Sequence, residues 1–160
     1  VHRANEKQSG HFLARAGGDG PLKEAVCAAM KPEDSYLGRI SGMDAMKRFY
    51  ADCDVLLVPS SAETFGMVYL EAMSQGVPVL YTKGQGFDGQ FPEGEVGFSV
   101  PCGDTAAQAD ALCRVMEDYP ARSARCVERA REYAWERIAK KWMKAYGETD
   151  AALDPSPNRN

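Results

Sequence analysis

The stretch Asp54-Val55-Leu56-Leu57-Val58-Pro59-Ser60-Ser61-Ala62-Glu63-Thr64-Phe65-Gly66-Met67-Val68-Tyr69-Leu70-Glu71-Ala72-Met73-Ser74-Gln75-Gly76-Val77-Pro78-Val79-Leu80-Tyr81 decides the fold. Its two ends, residues 54–59 and 77–81, are continuous apolar runs rather than alternating ones. Strands apolar on both faces belong to a sheet covered on both sides, which is the parallel α/β arrangement. Residues 65–75 between them predict a helix, closed by Gly76 with Pro78 just beyond.

The same reading extends outward in both directions. Residues 12–16 predict a strand closed by Gly17-Gly18-Asp19-Gly20, and Pro21 suits the first position of a helix reaching about Met30. Residues 36–40 predict a second short strand. Met43, Met46, Phe49 and Tyr50 recur at helical spacing over 43–53. Downstream, 83–101 reads as glycine-rich loop with one short strand at 96–100, and 105–117 as helix. Pro120 breaks the pattern, and 122–146 reads as one or two helices. The class is α/β, a doubly wound parallel sheet. Residues 1–147 form the expected domain and 148–160 a flexible tail.

Composition excludes several kinds of protein. The 160 residues suit one domain, and 19 basic against 23 acidic residues leave a net charge of −4. That balance argues against a nucleic-acid partner, whose footprint is a basic stripe. No apolar run approaches the ~20 residues of a membrane span, and no signal peptide is visible. The five cysteines form no C-x-x-C pair and the histidines are only His2 and His11, so no metal-ligand spacing appears. The thiols read as reduced and mostly in the core. The chain opens on Val1 rather than Met, which points to a fragment.

The stretch that decides the fold also carries the candidate chemistry. In open α/β sheets, ligands sit beyond the carboxyl ends of the strands, where Glu63 lies. The following helix is apolar nearly all round, so Glu71 is an acid where acids are usually absent. Gly66 would leave amides accessible at the helix start, an arrangement suited to an anion. On a continuous helix Thr64 and Glu71 would share one face, roughly 10 Å apart. A plainer reading stands beside this one: Glu63 as a partner of the helix dipole, Glu71 in contact with Gln75 one turn on. The residues alone leave both open.

The segment resembles the E-x7-E motif of retaining, GT-B-fold glycosyltransferases of family 4 (glycosyl transferases group 1). Gly18-Asp19-Gly20-Pro21-Leu22, Leu37-Gly38-Arg39-Ile40, Gly76-Val77-Pro78-Val79, Gly97-Phe98 and Gly103-Asp104 resemble further family signatures, in order. Tyr133-Ala134-Trp135 with Tyr146 resembles the closing helices. The resemblance implies the donor-binding, C-terminal, Rossmann-like half of a GT-B fold, lacking its first strand. It implies a retaining hexosyltransferase acting from a nucleotide diphosphate sugar, with no metal or other cofactor. Glu63 would be the catalytic residue that contacts the transferred sugar. The amides of Phe65, Gly66 and Met67 would hold the diphosphate, Glu71 the ribose hydroxyls, and Ile40 would line the base pocket.

An N-terminal acceptor domain would be the missing partner, leaving the isolated chain inactive. The full enzyme is expected in the cytoplasm or peripherally at the inner face of the membrane. Two rival readings are a non-hydrolysing sugar-nucleotide epimerase and a non-catalytic nucleotide-binding fragment.

The family's usual Gly-Gly…Glu loop is replaced here by Lys83-Gly84-Gln85-Gly86-Phe87-Asp88-Gly89, with Gln85, Gly86 and Asp88 as candidate participants. This stretch also spells G-x-G-x-x-G after a strand. A dinucleotide site would need a helix opening at the third glycine, which Gln90-Phe91-Pro92 does not favour. Arg3 and Lys7 lie too close to Gly18 to be the family's diphosphate-binding pair, which is expected upstream. The basic residues Arg122, Arg125, Arg129, Arg131, Lys140 and Lys141 read as solvated helix surface.

Overall fold

A computed structural model describes residues 12–147; the expectations for residues 1–10 and for the tail at 148–160 lie outside them. Strand β1 (Arg15–Gly17) leads to helix α1 (Lys23–Ala29), β2 (Ser35–Gly38) and α2 (Met43–Ala51). Then come β3 (Leu56–Val58), α3 (Met67–Ser74), β4 (Val79–Thr82) and β5 (Gly97–Val100). Three helices follow: α4 (Thr105–Glu117), α5 (Tyr119–Arg131) and α6 (Trp135–Ala145).

All pairings are parallel. β1 pairs with β2, and β3, β4 and β5 form a three-stranded sheet in that order. Set on the six-stranded doubly wound order 3-2-1-4-5-6, β2 and β1 take places 3 and 2, and β3 to β5 take places 4 to 6. Among the described residues no strand fills the remaining place, between β1 and β3.

Both faces of the larger sheet are covered, as its unbroken apolar runs require. Along β4, Val79 and Tyr81 join a core with Tyr50, Tyr69, Met73, Phe87 and Cys126. Leu80 points the other way, into a core with Phe98, Val100, Ala111 and Val115. β3 divides likewise, with Leu56 and Val58 on the first face and Leu57, with Val55 just before the strand, on the second. Each fully buried side chain of this size contributes about 1.5–3 kcal/mol relative to exposure.

Three sequence expectations need correction. Helix α3 begins at Met67, not Phe65, because Gly66 ahead of it is left-handed, at φ 79° and ψ 64°. Thr64 therefore lies outside the helix, and the two-turn geometry expected between Thr64 and Glu71 does not hold.

The basic face expected to be solvated is partly internal. Arg122 is only 6% exposed, lies over the Phe98 ring at 5.1 Å, and donates to the carbonyls of Gly94 and Val115. Arg125 pairs with Asp118 at 3.1 Å, and Arg129 with Glu95 at 2.6 Å and Glu132 at 2.8 Å. These cations anchor α5 to the segment before β5, a tertiary role that helical spacing does not reveal. Pro120 marks the break between α4 and α5 as expected, sitting in the first turn of α5, where a missing N–H costs nothing.

The cysteines are the third case. Only Cys126 is buried; Cys27, Cys102 and Cys113 are exposed. Burial pushes the Cys126 thiol up to about 12, and its Sγ lies 3.4 Å from the Val96 carbonyl. A thiol reagent is expected to modify Cys27, Cys102 and Cys113 rapidly in the folded chain, and Cys126 only after denaturation. Peptide mapping after timed labelling reads this directly, and prompt labelling of Cys126 would contradict the packing.

Candidate functional site

The site begins where β3 ends. Val58 is the last strand residue, and residues 59–66 form the loop to α3. Ser60 Oγ accepts from the Ala62 N–H and donates to the Ala62 carbonyl, tightening the first half of that loop. In the second half the Glu63 carboxylate folds back. Its Oε1 accepts from the Thr64 N–H at 2.9 Å and the Phe65 N–H at 3.3 Å. The carboxylate satisfies two backbone donors of the turn that leads into α3, and the start of a helix favours negative charge nearby.

Gly66 turns the chain into α3, and Met67 is the first helical residue, half-exposed at its side chain. The structure thus gathers Glu63, Phe65, Gly66 and Met67 into one turn beyond a strand end. Phe65 serves twice: its backbone faces Glu63, while its ring packs near Phe87 and Tyr133 at 6.4 and 6.0 Å.

Glu71 lies further along α3 and is directed to another element. Its Oε2 accepts from the Tyr50 hydroxyl of α2 at 3.0 Å. Tyr50 is 3% exposed, so the helix packing fixes its ring and its hydroxyl in turn orients the acid. Burial, then the Glu71 charge, push the Tyr50 phenol well above its ordinary range. The Gln75 amide donates to Ser74 Oγ rather than to Glu71. Tyr69 links the two halves of the site. Its hydroxyl donates to the Val58 carbonyl at 3.2 Å, and burial followed by the Glu63 charge pushes its phenol up to about 12.

Ile40 stands apart from this turn, just after β2. It and Phe49 flank Gly17 at the end of β1, where an added Cβ would meet Ile40 Cδ1 at 2.8 Å. Phe49 neighbours Tyr50, with ring centroids 5.4 Å apart, and Tyr50 in turn holds Glu71. Tyr50 is a residue the sequence did not single out for the site. It falls on the apolar stripe of α2, and nothing in that spacing tells a core phenol from one that holds an acid.

The loop after β4 also belongs here. Gln85 Oε1 accepts from the Glu63 N–H at 2.9 Å, and the Gly86 N–H donates to the Glu63 carbonyl at 3.1 Å. Asp88 is internal to the loop, its Oδ2 accepting from the Gly84 N–H at 2.7 Å. Residues 83–91 contain turns and no helix, so the glycine pattern there lacks the helix start a dinucleotide site needs. Among the described residues no group of three or more His, Cys, Asp or Glu could hold a metal ion, and no helix is long and apolar enough to cross a membrane.

A parallel sheet covered on both faces, with its polar loops beyond β3 and β4, is one Rossmann-like half of the GT-B glycosyltransferase fold. Comparison with known proteins makes the assignment specific. Residues 23–133 match the model of the family described as glycosyl transferases group 1, and the chain belongs to that family.

The D-inositol 3-phosphate glycosyltransferase of Corynebacterium urealyticum is 37% identical over 100 residues, which are 61% of this chain and 24% of that protein. The sucrose-phosphate synthase of Thermosynechococcus elongatus superposes with a TM-score of 0.69 at 29% identity, covering 88% of this chain and 38% of that one. Anabaena Alr3699/HepE, solved in complex with UDP-glucose, gives 0.65 at 23% identity, over 84% and 40% of the two chains. The chain spans about a quarter of the length of the curated relatives it matches.

Proposed function

We propose that this chain binds the donor of a retaining glycosyltransferase, taking a nucleoside diphosphate sugar in the turn between β3 and α3. What supports the reading most is the Glu63 carboxylate seated on the Thr64 and Phe65 amides. Those donors attract an anion when none is supplied from outside. A diphosphate would take over the amides of Phe65, Gly66 and Met67, and charge repulsion would turn the Glu63 carboxylate away, toward the sugar.

Glu71, oriented by Tyr50, would accept from the ribose hydroxyls, and Ile40 would line the base pocket. In the complete enzyme the bond from the sugar C1 to the diphosphate oxygen breaks as the acceptor oxygen bonds C1 on the same face. The acceptor proton passes to the departing phosphate oxygen. Glu63 would stabilise the positive charge that develops on the sugar ring, and the amides the negative charge on the diphosphate. The reading asks for no metal, and for an acceptor held by a separate N-terminal domain.

Titrating the chain with UDP-glucose, GDP-mannose and ADP-glucose tests it by backbone amide spectroscopy. One of the three is expected to shift the Phe65, Gly66 and Met67 amide signals saturably. No response at these amides to any of them would sink the reading.

A further inference from the structure

Gln85 replaces what the family pattern leads one to expect after β4, and its side chain is spent on the chain rather than pointed at solvent. Its Oε1 accepts from the Glu63 N–H at 2.9 Å, and its Nε2 donates to the Ser61 carbonyl at 3.3 Å. The next residue holds the other side of the same acid: the Gly86 N–H donates to the Glu63 carbonyl at 3.1 Å. Both backbone polar groups of Glu63 are therefore gripped by consecutive residues of one loop. The approach is close enough that a Cβ at Gly86 would stand 1.6 Å from the Thr64 carbonyl oxygen.

The loop that does the gripping is itself fixed. Phe87, 1% exposed, packs on Tyr69 with ring centroids 4.5 Å apart and on Tyr81 at 5.1 Å. Asp88 closes the turn through the Gly84 N–H, and the Gln90 side-chain amide donates to the Gly86 carbonyl at 3.3 Å. A rigid base carrying a two-pronged side chain can hold a neighbouring loop that has no regular structure of its own.

We infer that Gln85 is a positioning residue: it clamps the Glu63 peptide and so sets where that carboxylate stands relative to the donor sugar. The role rests on the donor-site reading above for its consequence, though not for the clamp. Gln85 need touch no substrate. It acts through Glu63, so its contribution disappears when the Glu63 carboxylate is gone.

Two measurements test this on the whole chain. In the first, hydrogen exchange of the Glu63 amide is compared between the native chain, Gln85→Met and Gln85→Glu. Methionine keeps the volume and loses both hydrogen bonds, so exchange at Glu63 is expected to quicken by about tenfold, the scale of one hydrogen bond worth of local opening. Glutamate keeps the acceptor and is expected to restore most of the protection. Unchanged exchange at Glu63 in Gln85→Met overturns the clamp.

In the second, affinity for whichever of UDP-glucose, GDP-mannose and ADP-glucose the native chain binds is measured for Gln85→Met with Glu63 present and in a Glu63→Gln background. A loss of about tenfold in the first and under about twofold in the second is expected for a residue acting through Glu63. Equal losses in both backgrounds overturn the positioning role. A native chain that binds none of the three counts against the donor reading, and the exchange comparison then decides the clamp by itself.

Discussion

Replacing Glu63 by glutamine in a complete transferase containing this chain is expected to lower kcat by roughly 10²–10³-fold, the scale of losing one well-placed electrostatic contact in a transition state. Donor KM should rise less, by about tenfold, because the contact matters most when charge develops on the sugar ring. Glutamine is the informative substitution for a reason visible in the loop. Its Oε1 can still accept from the Thr64 and Phe65 amides, as the carboxylate does at 2.9 and 3.3 Å, so the resting turn is preserved while the charge is removed. Alanine would remove both together and confuse a catalytic loss with a structural one. Steady-state kinetics with varied donor decide the matter; a kcat near that of the native enzyme would remove Glu63 from the chemistry.

The second large effect is on stability. Gly66 has φ 79° and ψ 64°, and an added Cβ would lie 2.3 Å from Cδ2 and Cε2 of the Tyr69 ring. A left-handed alanine costs about 1–2 kcal/mol by itself. The ring cannot simply retreat, since Tyr69 is 1% exposed, packed against Phe87 and tied to the Val58 carbonyl. Overpacking of this kind adds roughly 1–3 kcal/mol. Gly66→Ala should therefore destabilise the fold by about 3 kcal/mol in all and lower Tm by roughly 10 °C. Thermal unfolding followed by circular dichroism measures it, and a fall of only one or two degrees would mean that the turn can rearrange around Tyr69.

These two positions also show what kind of information a sequence holds. The acid at Glu63 and the glycine at Gly66 were legible because residue type and order restrict them: an acid after a buried strand, a glycine where the chain enters a helix. The start of α3 was misread by two residues because an apolar stretch looks helical from Phe65 onward, and only the left-handed Gly66 shows that Phe65 belongs to the turn. Arg122 was misread for the opposite reason. Helical spacing places it among other cations, while its burial follows from the Phe98 ring and the Gly94 and Val115 carbonyls, groups remote or on neighbouring helices.

The sequence by itself determined the class of fold and the position of the candidate site. Apolar runs without alternation require cover on both faces, and strand-to-helix loops in such a sheet open at one edge. Tertiary structure alone decided the partners of each acid: Tyr50 against Glu71, and Gln85 with Gly86 against the Glu63 peptide. Hydrophobic periodicity is a local, one-dimensional signal, set by the repeat of a helix or strand. A hydrogen bond between residues 21 or 22 places apart depends on how two packed elements meet, and no local repeat encodes that meeting.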